Sequence, residues 1–155
     1  YSRKELKIMT DDKEIIFREI YKNKVVPIAG FMEMFELIKS KKILVAIASN
    51  AIRKNVKMIL SELKIYEKFD SIICGDEVKK GKPDPEMFNE TVDRFNLKKE
   101  ECLIFEDSIE GVSAAVNSRV DVVGITSSTS GKTLTNKGCK TTIDNYLNFE
   151  MSIYG

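Results

Sequence analysis

Three short segments of this sequence gather the residue types that handle phosphate and a divalent cation. Ser49 and Asn50 follow the apolar run Ile43-Leu44-Val45-Ala46-Ile47-Ala48. Lys82 stands in Gly81-Lys82-Pro83-Asp84-Pro85, and Glu106-Asp107-Ser108, with Gly111 just beyond, ends the apolar run Leu103-Ile104-Phe105. A hydroxyl, a helix N-terminus and an ammonium make a phosphate cradle: amides and hydroxyl donate hydrogen bonds, and the ammonium neutralises oxygens. Two adjacent carboxylates are hard oxygen ligands, and with few others they suit Mg²⁺, which keeps waters and shares its shell with phosphate. Together the segments imply Mg²⁺-dependent phosphoryl chemistry. Each residue also has a plainer use. Ser49 or Asn50 could N-cap the following helix, Lys82 could be a solvated loop lysine, Asp84 could cap a helix opened by Pro85, and Asp107 with Glu110 resembles a capping box. Glu106 fits no such use, because a second carboxylate beside it creates repulsion that a cation relieves.

The composition narrows the chemistry further. The chain has 155 residues, 43% of them hydrophobic, which is enough for one domain with a real core and too apolar for disorder. Twenty-five Lys and Arg against 24 Asp and Glu leave a net charge of +1, so nothing asks for nucleic acid or an anionic membrane surface. No apolar run is long enough to span a membrane, and no signal peptide is legible. There is no His, which excludes a Ser-His-Asp triad, a Cys-His pair and any His-ligated metal. Cys74, Cys102 and Cys139 have no CxxC spacing and read as reduced, mostly buried thiols of a cytoplasmic protein.

The elements that position these residues alternate. Helices are expected over residues 11–24, 31–41, 52–63, 85–95 and 109–117, and apolar strands over 43–48, 71–74, 102–105 and 121–125. Ile16 and Ile20, with Phe17 and Tyr21, mark the apolar face of the first helix. Residues 126–140 read as a polar surface loop and 141–143 as a last short strand. Such alternation implies parallel strands joined by right-handed crossovers in an α/β, three-layer, doubly wound sheet, whose site lies outside the carboxyl ends of the strands.

In this order the motifs resemble the haloacid dehalogenase superfamily, and within it the β-phosphoglucomutase-like phosphatases and phosphomutases. VAIASN with Ser49 matches the family's second motif, GKPDPEMF with Lys82 its third, and CLIFEDSIEGVSAA with Glu106 and Asp107 its fourth. The resemblance implies a Rossmannoid core over 27–155 and, over 1–26, the last helix of a helical cap. It implies that Ser49, Lys82 and Asp107 are catalytic, that Ser49, Asn50 and Lys82 bind phosphate, and that Glu106 and Asp107 hold Mg²⁺. The implied partner is a small phosphorylated metabolite such as a sugar phosphate.

One motif of the family is not in this sequence. A strand followed by DxD carries the family's aspartate nucleophile, and no DxD spacing occurs here; Asp11-Asp12 follows no buried strand. Three accounts are open: the 155 residues belong to a longer polypeptide, a second chain or a strand-exchanged copy supplies the strand, or the chain is a non-catalytic remnant that binds phosphate or a partner. On the first two the aspartyl-phosphate forms on a residue outside this chain, and the isolated chain is expected to be inactive. The resemblance places the missing strand mid-sheet, so a gap is expected beside 43–48 and 102–105. A P-loop at Gly131-Lys132-Thr133 is disfavoured because Thr126 stands where its first glycine is needed. A receiver-type module needs acids after the first strand, where Ala48-Ser49 stand.

Overall fold

The computed structural model describes residues 2–147 and 149–150, and among them it is an α/β protein with parallel strands. The elements in chain order are α1 (Arg3–Tyr21), α2 (Phe31–Ser40), β1 (Ala46–Ser49), α3 (Arg53–Glu62), β2 (Ser71–Cys74), α4 (Glu86–Phe95), β3 (Leu103–Glu106), α5 (Ile109–Ser118), β4 (Asp121–Ile125), α6 (Gly131–Asn136) and β5 (Thr141–Ile143). Helix α1 starts earlier than its apolar period suggests. Ser2 and Glu5 form a reciprocal capping box, with Ser2 Oγ accepting from the Glu5 N–H and Glu5 Oε2 from the Ser2 N–H. Its Ile16 and Ile20 are more than half exposed rather than packed inward. A polar contact ties α1 to the body: buried Asn55 of α3 accepts from Arg18 Nη1 and donates to Glu14.

The expected loop over 126–140 contains a helix instead. Ser130 caps α6 by accepting from the Thr133 N–H, and Leu134 is fully buried beneath it, so a single apolar anchor and a capping serine order a stretch whose composition is polar. The first strand is also shorter than its apolar run. Ile43 and Leu44 lie outside it and are exposed, and the ladder begins at Ala46.

The strands form two parallel sheets, β1-β2 and β3-β4-β5, and β1 is not paired with β3. This is the gap expected beside 43–48 and 102–105. Its consequence is visible in burial: β1 is half-buried along its length and β3 half-buried as far as Phe105, whereas β4, with a neighbour on each side, is buried from Val122 to Ile125. The core is divided in the same way. Phe35, Val56, Leu60, Ile65 and Cys74 form one cluster, and Phe88, Val112, Ala114, Ala115, Val122, Leu134 and Cys139 form the other. Helix α4 packs against β1, β2 and α5, so it links the halves on one face.

The outer edge of β2 is covered by an ion pair. Arg53 Nη2 donates to the Ile72 carbonyl at 2.7 Å and to Glu77 Oε2 at 2.6 Å, while Glu77 accepts from the Cys74 N–H at 2.9 Å. Ile72 and Cys74 are two residues apart, so their peptide groups share one edge, and the pair occupies what an incoming strand would use. Arg53 holds the Glu77 carboxyl below its ordinary 4.5. A depressed folded value means that this stabilisation is present above the unfolded value and is lost as pH falls through the folded one. Glu77→Ala is therefore expected to cost about 1 kcal/mol at neutral pH and little in acid. It also uncovers the edge, so sedimentation should show concentration-dependent self-association absent from the parent; identical sedimentation and melting would contradict this account.

Candidate active site

The residues singled out after β1, before α4 and after β3 converge where the carboxyl ends of β1 and β3 face each other. Lys82 Nζ donates to the Ala48 carbonyl at 2.8 Å and forms an ion pair with Glu106, with both side chains at least nine-tenths buried. The ammonium also lies 5.0 Å from the centre of the Phe88 ring. Lys82 is thus not a solvated loop lysine. Glu106 is tucked against the first turn of α5, where a Cβ on Gly111 would come within 1.8 Å of its carboxylate. Only glycine permits that approach, which gives the glycine of the FEDSIEG segment its physical reason.

The plainer uses of these residues are redistributed. Neither Ser49 nor Asn50 caps α3; the Arg53 N–H at its start donates to Asp76 Oδ1 at 3.0 Å. Ser49 Oγ accepts from the Ala51 N–H at 3.2 Å, a use that keeps the hydroxyl proton for an incoming acceptor. Asn50 bonds to both main-chain groups of Lys82. Ser108, not Asp107, caps α5 by accepting from the Gly111 N–H at 2.9 Å. Asp84 accepts from the Glu86 N–H at 3.0 Å, and Pro85 takes the cap position itself.

Glu106 and Asp107 are adjacent in sequence but have different partners. Asp107 Oδ2 accepts from Ser127 Oγ at 2.9 Å and Ser128 Oγ at 3.0 Å. Among the described residues no group of three or more acidic, His or Cys side chains could hold a metal. Two carboxylates are nevertheless the donor set that Mg²⁺ accepts when waters and substrate fill its shell. Ser127 and Ser128 follow β4, so the rule that points to residues after each strand reaches them; their Ser/Thr-rich context reads as loop instead. Tyr146, three residues past β5, also stands here. Its ring lies 5.5 Å from that of Phe105 and 5.7 Å from that of Phe31, and its N–H donates to the Ala29 carbonyl. Burial first, then the charges of Asp107 and Glu106, push its hydroxyl up to about 12.

Residues 2–125 match the sequence model of the haloacid dehalogenase-like hydrolases. The chain belongs to that family. It is 34% identical over 130 residues to a phosphorylated carbohydrates phosphatase of Thermotoga maritima, a match that covers 83% of this chain and 58% of that protein. It is 30% identical over 88 residues to the β-phosphoglucomutase of Bacillus subtilis, covering 57% of this chain and 38% of the mutase. The crystal structure of a family IA, variant 3 hydrolase from Entamoeba histolytica superposes with a TM-score of 0.90 at 25% identity, over 99% of this chain and 71% of the other. The haloacid dehalogenase fold expected from the motifs is therefore the fold of this chain, which spans less than two thirds of the length of either curated relative.

Removing one member of the buried Lys82–Glu106 pair leaves the other charge without compensation. Lys82→Met is expected to cost about 3–5 kcal/mol by denaturant titration, and adding Glu106→Leu should recover much of it. A double variant less stable than the single one would show that the pair does not carry this cost. For Tyr146, a folded value raised above 10.0 means stability is retained below that pH and falls as pH rises towards 12. Tyr146→Phe should flatten that decline and remove a tyrosine ionisation near pH 12 from the alkaline absorbance titration.

Proposed function

We propose that these residues form the phosphate-handling part of a Mg²⁺-dependent phosphatase or β-phosphoglucomutase-like phosphomutase acting on a small phosphomonoester, a sugar phosphate above all. The observation that carries this reading is the Lys82 ammonium, fixed between Ala48 and Glu106 at the mouth of the gap between β1 and β3. The Ser49 hydroxyl donates to a phosphoryl oxygen, and Lys82 offsets charge on the transferring group. Glu106 and Asp107 would hold the cation, which when bound neutralises phosphoryl oxygens. The activities for which the phosphorylated carbohydrates phosphatase and the β-phosphoglucomutase are named support the substrate class.

The nucleophile on this reading is an aspartate outside these residues, carried on a strand that enters the gap from the same polypeptide or a second chain. Its carboxylate oxygen bonds to phosphorus, the ester P–O bond breaks, and the departing oxygen takes a proton. Water then attacks the aspartyl-phosphate in a phosphatase, or a sugar hydroxyl does so in a mutase. A cytoplasmic setting is supported by the unpaired thiols of Cys74, Cys102 and Cys139, each pushed up by burial, and no described helix is long and apolar enough to cross a membrane. The absence of a DxD segment from these residues favours a second reading, a phosphate-binding module without turnover.

The test is phosphate binding and phosphate release by the 155-residue chain. Titration with inorganic phosphate, followed by ³¹P NMR, should show Mg²⁺-dependent binding weakened by an order of magnitude in Lys82→Ala. Sugar phosphates should release no phosphate. Robust turnover by this chain alone would overturn the external nucleophile, and phosphate binding indifferent to both Mg²⁺ and Lys82 would overturn the site.

A further inference from the structure

Both ends of Lys82 are tied to one three-residue stretch. The Ala48 carbonyl receives its ammonium at 2.8 Å, and the Asn50 side chain receives its main chain: Oδ1 accepts from the Lys82 N–H at 2.8 Å, and Nδ2 donates to the Lys82 carbonyl at 3.2 Å. Ser49 stands between these two anchors. A primary amide that pairs with the N–H and C=O of a single residue imitates a bridge of a β-ladder and fixes both the position and the direction of that residue. The preceding residue is fitted to it, since a Cβ on Gly81 would lie 2.6 Å from Asn50 Oδ1 and 3.3 Å from its Cγ.

We propose that Asn50 is a positioning residue for Lys82, its side-chain amide locking the Lys82 backbone so that the ammonium reaches across the gap to Glu106. Oδ1 and Nδ2 of Asn50 are both engaged with the Lys82 main chain, so the effect proposed here for Asn50 is transmitted through Lys82. The meaning of this lock for phosphoryl transfer rests on the function proposed above, but the lock itself does not. It is read on Lys82, whether or not any phosphomonoester is turned over.

The experiment uses the chain with ¹⁵N-labelled lysine at slightly acid pH. In the parent, the Lys82 ammonium, shielded from water by Ala48, Glu106 and Phe88, should give a resolved ammonium signal, and the Lys82 amide should be protected from hydrogen exchange. Asn50→Ala should abolish both while thermal unfolding remains cooperative. Gly81→Ala, which must displace the same amide, should do likewise, and the double variant should add little to either single one. A Lys82 ammonium signal that survives both substitutions would overturn the proposal, because an amide that merely stabilises the loop leaves that signal in place. Should Asn50→Ala fail to fold, Gly81→Ala decides alone. In the unmodified chain, a Lys82 amide exchanging as fast as its exposed loop neighbours would overturn the proposal without any variant.

Discussion

The ammonium of Lys82 spans a break in the sheet, donating to β1 through the Ala48 carbonyl and to β3 through Glu106, although the two strands are not paired with each other. A buried lysine and glutamate are costly to desolvate, and the cost is offset only when donors and acceptors are matched nearly in full. That matching explains much of the local design. Asn50 fixes the lysine's main chain, Phe88 faces its ammonium, Ser108 stands beside Glu106, and Gly111 lets the carboxylate settle against α5. Loosening any of these leaves a charge in a space where water solvates it poorly.

The same break organises the packing. Each half of the sheet has its own apolar cluster, so the halves do not depend on a continuous ladder for their cores. They are joined by side chains and helices instead: α4 against both β1 and α5, and the aromatic series Phe31, Tyr146 and Phe105 leading from α2 to β3. Strands that would be fully covered in a continuous parallel sheet remain half-buried at the gap. The two strand edges at the break carry no ladder bonds to each other and are bridged at their carboxyl ends by Lys82 and Glu106.

The alternation of apolar runs with helical periods specifies the parallel direction of the strands, because crossovers long enough to be helices join strands that run the same way. Lys82, Glu106 and Ser49 are legible because type, order and strand-end position coincide. Asp107 is legible as an acid but not as the partner of Ser127 and Ser128, since contacts across 20 residues leave no local pattern. Helix α6 escapes a compositional reading because one buried leucine, Leu134, and one capping serine outweigh a polar stretch. The exposed face of α1 escapes it too: apolar periodicity says that a face exists, not that this chain covers it.

The charges in the site bear on how a phosphate could be received there. The site counts one ammonium, paired with Glu106, and two carboxylates adjacent in sequence, a formal excess of one negative charge. Such a cluster repels a phosphomonoester dianion, however well Ser49 and Lys82 are placed to bind it. On the function proposed above, a divalent cation held by the two carboxylates would reverse the sign of the cluster, and Lys82, besides linking the strands, would then be free to meet an anion. The same electrostatic attraction that keeps Lys82 across the gap keeps it within reach of the phosphate it is proposed to bind.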